Sequence, residues 1–353
     1  MKFSQTYWLN YKNLKPERVC WYEGLNLIVG PNASGKTNTL EALSMLCGWW
    51  GSRRKKLKDL VNWQLQGRGV ARLHSKFCGE EELAVSMTID EKRVIEISGK
   101  QGNASILRAF IPCLSFWSDD VYLVDGPPYV RRNFLNQLCA LIVPLYARRL
   151  YDYNKLLRHR NHSLKRGQYD SVIIKTMAPL AAWIWSYRRT IVDLLKISFK
   201  EISPSLLDFD VEIDMKEGSC DLFEDPLEGF YKSIAAFKND EMARRVSLAG
   251  PHRDDLSMTI TGRPASEALS RGQRRKLAVT LMLSAAKVVE FKMRKRPIIL
   301  LDEITAELDS EAKSSLINAL FNSGCQVIAA TADDRIGEFP GKVWHIDQGG
   351  LSV

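Results

Sequence analysis

Gly30-Pro31-Asn32-Ala33-Ser34-Gly35-Lys36-Thr37, followed by Asn38, satisfies the spacing G-x-x-x-x-G-K-[ST] at every fixed position. Glycine lets a backbone wrap a phosphate, successive N–H groups and a helix N-terminus supply positive potential, Lys36 can neutralise β/γ charge, and Thr37 can ligate Mg²⁺. From average residue usage, a chance match in a chain this long arises about once in a hundred sequences. The bland reading of the same residues is a Gly-rich turn that caps a helix. Pro297-Ile-Ile-Leu-Leu-Asp302-Glu303 supplies complementary chemistry. A buried strand would hold Asp302 rigidly at its carboxyl edge to bind Mg²⁺ directly or through water, and Glu303 can polarise an attacking water as general base. Alone, this stretch also reads as a core strand running into a solvated acidic turn. Together the two point to ATP with Mg²⁺, with Lys36, Asp302 and Glu303 as catalytic candidates.

Leu269-Ser270-Arg271-Gly272-Gln273-Arg274 precedes a helical pattern, so Ser270, Gly272 and Gln273 form a second anion-binding mouth at a helix N-terminus. Taken alone, S-x-G-Q is an ordinary N-cap more often than not.

The elements that must position these residues follow from periodicity. Leu25–Val29 is an apolar run of strand length, and Thr37–Cys47 places Leu40, Leu43, Leu46 and Cys47 on one helical face. A strand–loop–helix unit over 25–47 results. Near the other end, Ile298–Leu301 and Val327–Ala330 are strand-length runs separated by a helical pattern over 309–321, which suits a right-handed βαβ unit. Leu83–Ile89 and Val94–Ile97 predict a mixed β lobe, and Val85–Ile89 reads as a core strand and nothing more. From Tyr129 the pattern turns helical. Leu180, Ile184, Tyr187, Ile191, Leu194 and Ser198 form a heptad-like seam under three heptads long, so a packed helical hairpin is expected there. The fold class is α/β: one head from both chain ends with a mixed β lobe and an inserted helical arm. The boundaries are 1–128 for the N-terminal part of the head, 129–204 for the arm and 205–353 for the C-terminal part.

A chain of 353 residues with 45% hydrophobic and 26% charged residues is globular and excludes collagen-like or wholly disordered classes. It suits two domains, or one with an insertion. No window approaches 18 uninterrupted apolar residues and Met1–Asn10 lacks a leader pattern, so the expectation is a cytoplasmic protein with no membrane partner. Seven scattered Cys without a C-x-x-C pair indicate neither a zinc site nor a disulfide framework.

Fifty Lys+Arg against 41 Asp+Glu give a net charge of +9, which points to a polyanionic partner. Basic runs include Arg53-Arg54-Lys55-Lys56, Arg148-Arg149 and Arg158 with Arg160, several beside aromatics such as Trp49, Trp50, Tyr151 and Tyr153. These are the candidate DNA contacts, salt-dependent and largely blind to sequence. Any single run reads equally as a solvated face. The Trp183/Trp185/Tyr187 stretch reads as hairpin core before a base-stacking platform. His252 in Gly250-Pro-His-Arg-Asp-Asp255 admits a structural or phosphate-sensing role as readily as a catalytic one.

The order of phosphate loop, Ser270–Gln273, Asp302-Glu303, Ala306-Glu-Leu-Asp309 and Thr331 after the next strand resembles the ABC ATPase class, whose signature motif Ser270–Gln273 is similar to. Within it the chain resembles the RecF family in blocks covering most of its length. These are Gly30–Leu43, Asp125-Gly-Pro-Pro-Tyr-Val-Arg131-Arg132-Asn-Phe134-Leu135, Tyr153–Asn161 and Gly250–Asp255. Ser34 stands where that family usually has Gln, Glu303 where many members have Asp, and Asn10-Tyr11-Lys12-Asn13 in place of an Arg-containing version. The resemblance implies an ABC-type P-loop ATPase head that dimerises head to tail. In such a dimer Ser270, Gly272, Gln273 and Asp309 of one copy close on ATP held by the other, with Thr331 a further catalytic residue. It also implies slow, DNA-stimulated turnover, binding of duplex DNA at gaps or single-strand/double-strand junctions, and cooperation with RecR and RecO in loading a recombinase. Rival readings are the ATP-binding subunit of a transporter, a defence ATPase that partners a nuclease, and a structural protein with a vestigial site.

Overall fold

A computed structural model describes residues 1–49, 56–65, 69–117, 122–303, 310–332 and 339–353, the side chains of 310 and 312 excepted. Two compact units emerge: Met1–Val121, Ile202–Leu207 and Arg271–Val353 form the first, Tyr122–Glu201 and Asp208–Ser270 the second. Residues 208–270, assigned to the head from sequence, group here with the helices. Among the described residues, no helix is long and apolar enough to cross a membrane.

The first unit contains two six-stranded sheets. One is antiparallel: β1 (Lys2–Leu9), β2 (Glu17–Cys20), β4 (Ala71–Cys78), β5 (Leu83–Ile89), β6 (Arg93–Ile97) and β7 (Lys100–Gln101), in the order β2-β1-β4-β5-β6-β7. Alternate residues of β4 are buried, as expected when one face of a sheet packs inward. The other sheet joins both chain ends. Its strands are β3 (Leu25–Val29), β8 (Cys113–Phe116), β12 (Ile298–Leu301), β13 (Val327–Thr331), β14 (Lys342–Asp347) and β15 (Gly350–Ser352), in the order β15-β14-β3-β13-β12-β8. All pairings are parallel except β14 with β15. Every residue of β3, β12 and β13 is buried, which is why these segments read as apolar runs, broken only by Asn26 and closed by Thr331.

Helix α1 (Lys36–Leu46) touches strands of both sheets and has nine buried residues, which explains its near lack of a polar face. Truncating Leu40 or Leu43, both fully buried, to alanine should cost about 2–5 kcal/mol. Helix α2 (Ala104–Phe110) leads into β8, with Asn103 capping it through bonds from the Ser105 and Ile106 amides. Between β12 and β13 runs α10 (Ser310–Asn322), so these form the βαβ unit read from the sequence.

The second unit begins with α3 (Pro128–Ile142), α4 (Tyr146–Lys165) and α5 (Ser171–Ile202). A three-stranded antiparallel sheet of β9 (Glu212–Lys216), β10 (Asp255–Ile260) and β11 (Arg263–Pro264) follows. Helices α6 (Pro226–Ala236) and α7 (Lys238–Arg244) lie between β9 and β10, and α8 (Ala265–Ala268) packs on β10 and β11. Helix α9 (Arg271–Met293) returns to the first unit.

The buried stripe of α5 keeps Ile184 and Ile191 of the expected seam but departs from it elsewhere. It runs through Met177, Ala181, Ile184, Trp185, Arg188, Ile191, Val192, Leu195 and Phe199, while Tyr187 is exposed. The stripe turns because Arg188, a residue that reads as surface, is fully buried and paired with Asp254. Trp185 is buried core as expected, whereas Trp183 and Tyr187 stack on each other at 4.4 Å nearer the surface.

His252 lies partly buried beside Tyr153 of α4. Its Nδ1 accepts from the Tyr153 hydroxyl at 2.8 Å and its Nε2–H donates to the Ser247 carbonyl at 3.1 Å, a pairing that suits the neutral ring. Burial pushes its pKa down to about 4, against the Ser247 carbonyl and with help from Arg253, Arg132 and Arg160. The folded ring therefore binds fewer protons than the unfolded one between pH 4 and its ordinary value. Stability is full above about pH 6.5 and should fall by about 2 kcal/mol by pH 5 through this group alone. The denaturant midpoint should fall less between pH 7.5 and pH 5 for His252→Gln than for wild type; an equal fall in both would contradict a ring held neutral in the fold.

Candidate functional site

Three adjacent parallel strands end side by side. β3 runs into the loop at Gly30, β13 ends at Thr331, whose partner in register is Val29, and β12 ends at Leu301 before Asp302 and Glu303. Carboxyl ends of parallel strands are where such sheets bind ligands. The apolar strands fix the backbone and the polar side chains emerge immediately after them.

The loop is wound as a cradle. Gly35 has φ of 120°, a conformation open to glycine and strained for other residues, and it hands the chain to α1. Ala33 and Glu303 hold φ of 66° and 56° despite carrying side chains. Such strained residues persist where surrounding structure over-determines them, commonly at binding sites. Lys36 curls back so that its amine donates to the Gly30 carbonyl at 2.7 Å and the Pro31 carbonyl at 2.9 Å. Burial lowers its pKa, opposed by Glu303 and Asp302. Thr37 Oγ1 lies 3.1 and 3.0 Å from the two carboxylate oxygens of Asp302, itself 2% exposed. Ser34 Oγ is buried and has no hydrogen-bond partner among the described residues.

The donor set fits a polyphosphate with a divalent cation. A buried cation that donates to two neutral carbonyls, an orphan hydroxyl and a helix N-terminus all favour an arriving anion. A hydroxyl against a carboxylate presents two hard oxygens to Mg²⁺. Pro31, Asn32 and Ala33 form the exposed rim of the cradle.

Sequence reasoning missed what braces the loop. The Asn13 amide donates to the Ala33 carbonyl at 3.4 Å, and the Gly349 amide donates to the Ser34 carbonyl at 2.8 Å. The Asn38 amide donates to Asn13 Oδ1 at 2.6 Å, and Asn38 Oδ1 accepts from Lys12 at 3.0 Å. Lys12 also pairs with Glu41 in the interior. Asn38, a candidate nucleotide contact from the sequence, here also braces the loop against Lys12 and Asn13. The turn-forming Asn10 and Asn13 and the Gln348-Gly349-Gly350 stretch were the available signals.

Ser270 is exposed and immediately precedes α9; Gly272 and Gln273, in its first turn, are partly buried. Ser270 closes the second unit while Gly272 and Gln273 open the last stretch of the first. Asp309, Arg53, Arg54 and Lys55 lie outside the described residues, and Lys56 is exposed. Arg148, Arg149 and Arg158 are exposed on α4. Arg149, Lys155 and His159 line a groove of about 670 Å³ against Pro179 and Trp183 of α5. Arg160 is a correction: it is 2% exposed and held by both Glu241 oxygens, at 3.0 and 2.5 Å, so it is withdrawn from any phosphate-binding surface.

The model of the RecF/RecN/SMC N terminal domain matches residues 4–347. The DNA replication and repair protein RecF of Geobacillus thermodenitrificans is 30% identical over 350 residues, covering 93% of this chain and 92% of its own. The chain belongs to the RecF family. A solved structure of the recombination mediator protein RecF-ATPrS in the RecFOR pathway superposes with a TM-score of 0.87 at 23% identity, covering 99% of this chain and 97% of the other. An Smc head bound to the C-winged helix domain of ScpA gives 0.60 at 16% identity, covering 100% and 96%. The fold is therefore an ABC-type ATPase head of the RecF/SMC kind.

If the cradle is an anion site, tripolyphosphate with Mg²⁺ should raise the melting temperature of the wild-type chain. At about a hundredfold over its dissociation constant the stabilisation should approach 2.7 kcal/mol. Lys36→Met should remain folded and show no ligand-induced shift; an equal shift in both proteins would place the anion elsewhere.

Proposed function

We propose that this chain binds ATP with Mg²⁺ and uses it to close two copies over DNA in recombinational repair and replication restart, with hydrolysis reopening them. The observation that carries the reading is the joint geometry of Lys36 in its carbonyl cradle and Thr37 against Asp302 across neighbouring strand ends. Membership of the RecF family, and a relative described as a RecF-ATPrS complex of the RecFOR pathway, support it. The relative's name also motivates RecO and RecR as partners, at gaps or single-strand/double-strand junctions.

On this reading Lys36 leaves its two carbonyls for β/γ-phosphate oxygens, and the amides of Ala33 to Thr37 donate to the same anion. Thr37 and Asp302 would hold Mg²⁺, which offsets phosphate charge when bound. Glu303 orients and polarises water. Thr331, at the end of β13, faces the same strand edge. Ser270, Gly272, Gln273 and Asp309 complete the site from the second copy. Turnover is slow until that copy arrives, so ATP serves as interfacial adhesive. Lys56, Arg148, Arg149 and Arg158 contribute sequence-independent contacts to DNA phosphates.

Mass in solution and affinity for gapped, blunt and single-stranded DNA should both depend on nucleotide, rising with ATP relative to ADP or none. Glu303→Gln should keep ATP binding, lower turnover by about 10²–10⁴-fold and accumulate the dimer. Indifference of both mass and DNA affinity to nucleotide would overturn the proposal.

A further inference from the structure

The segment Gly250–Asp255 takes no part in the cradle, yet the second unit is built around it. Asp254 is fully buried and pairs with Arg188 of α5; its carboxylate also accepts from the Trp185 indole at 2.9 Å and the Gly218 amide at 2.7 Å. Arg188 donates onward to the Pro251 carbonyl at 2.6 Å, the Tyr146 hydroxyl of α4 at 2.9 Å and Asn136 of α3 at 2.7 Å. From α3, Arg132 reaches the Asp254 carbonyl at 2.8 Å, and Arg131 grips Asp255 with two bonds of 2.6 and 2.9 Å. Gly250 sits at φ of 127°, and a Cβ there would collide with the Tyr153 hydroxyl of α4. Three helices thus converge on two neighbouring carboxylates.

Asp255 opens β10, against which α3 packs. β10 and β11 carry α8, whose Ala265 carbonyl accepts from the Leu269 amide at 3.2 Å, and Ser270 follows. A short, packed path therefore joins the helices to Ser270 within one unit. A buried ion pair adds little net stability over an apolar filling, so its use here is to fix geometry.

We propose that Arg188 and Asp254 are positioning residues for Ser270, locking α3, α4 and α5 to β10 so that DNA bound on the helices regulates the signature mouth through a rigid lever. This rests on the ATP-clamp reading and names its regulation.

The test uses the full chain, measuring kcat and KM for Mg-ATP with and without duplex DNA, binding of a fluorescent ATP analogue, and melting temperature. In the doubly neutral variant Arg188→Met with Asp254→Asn no buried charge is left unpaired, so folding and analogue binding should persist. DNA-stimulated kcat should fall about tenfold with KM changed less than about twofold, the size of a typical coupling between sites. A folded double variant with wild-type DNA stimulation overturns the positioning role. Should that variant not fold, Arg131→Met, which removes the less buried pair with Asp255, must still reduce the stimulation; if it does not, the proposal falls. Wild type lacking both nucleotide-dependent assembly and DNA-stimulated turnover sinks the clamp reading and this lever with it, whereas stimulation kept by the variants sinks the lever alone.

Discussion

A carboxylate buried at the end of a central parallel strand needs compensation for the water it has lost, and Asp302 receives part of it from the Thr37 hydroxyl and the nearby charge of Lys36. That requirement ties α1 to β12 across β13, which lies between β3 and β12. Because Thr37 lies in the first turn of α1 and Asp302 directly follows β12, the helix cannot rotate or slide without stranding the carboxylate. The contact is thus both a register lock for the layer and a metal-ready pair of oxygens. Charge burial that burdens stability is tolerated where a site needs it.

The same logic extends to the braces. Asn13 and Gly349 hold loop carbonyls, and the buried Lys12–Glu41 pair holds α1 from beneath. Asn13 follows the first strand and Gly349 sits in the last turn, so a loop near residue 30 depends on both ends of the chain. Ala33, held in left-handed backbone, is a local conformation that such bracing sustains.

Local signals made much of this legible. The phosphate loop, α1, β12, β13 and α10 are each announced by glycine spacing or apolar periodicity within a dozen residues, and the α/β class follows from their order. The failures share one cause. Arg160 read as a surface cation, and nothing local announced the burial of Arg188, because their partners, Glu241 and Asp254, lie 81 and 66 positions away. A guanidinium is buried only when a distant carboxylate meets it, and nothing local encodes that meeting. The stripe of α5 was shifted for the same reason, and the braces of Asn38, Lys12 and Asn13, went unseen because they precede it by some twenty-five residues.

The loss of two arginines to the interior does not weaken the electrostatic case for a polyanion. Each enters with a carboxylate, Arg160 with Glu241 and Arg188 with Asp254, so each buried pair is neutral. The formal surplus of +9 is unchanged by removing neutral pairs and must reside on the remaining residues. Arg148, Arg149 and Arg158 carry part of it on the open face of α4. Inside the second unit, arginine sets geometry; on its surface, the same residue type supplies the field that a phosphate backbone would meet.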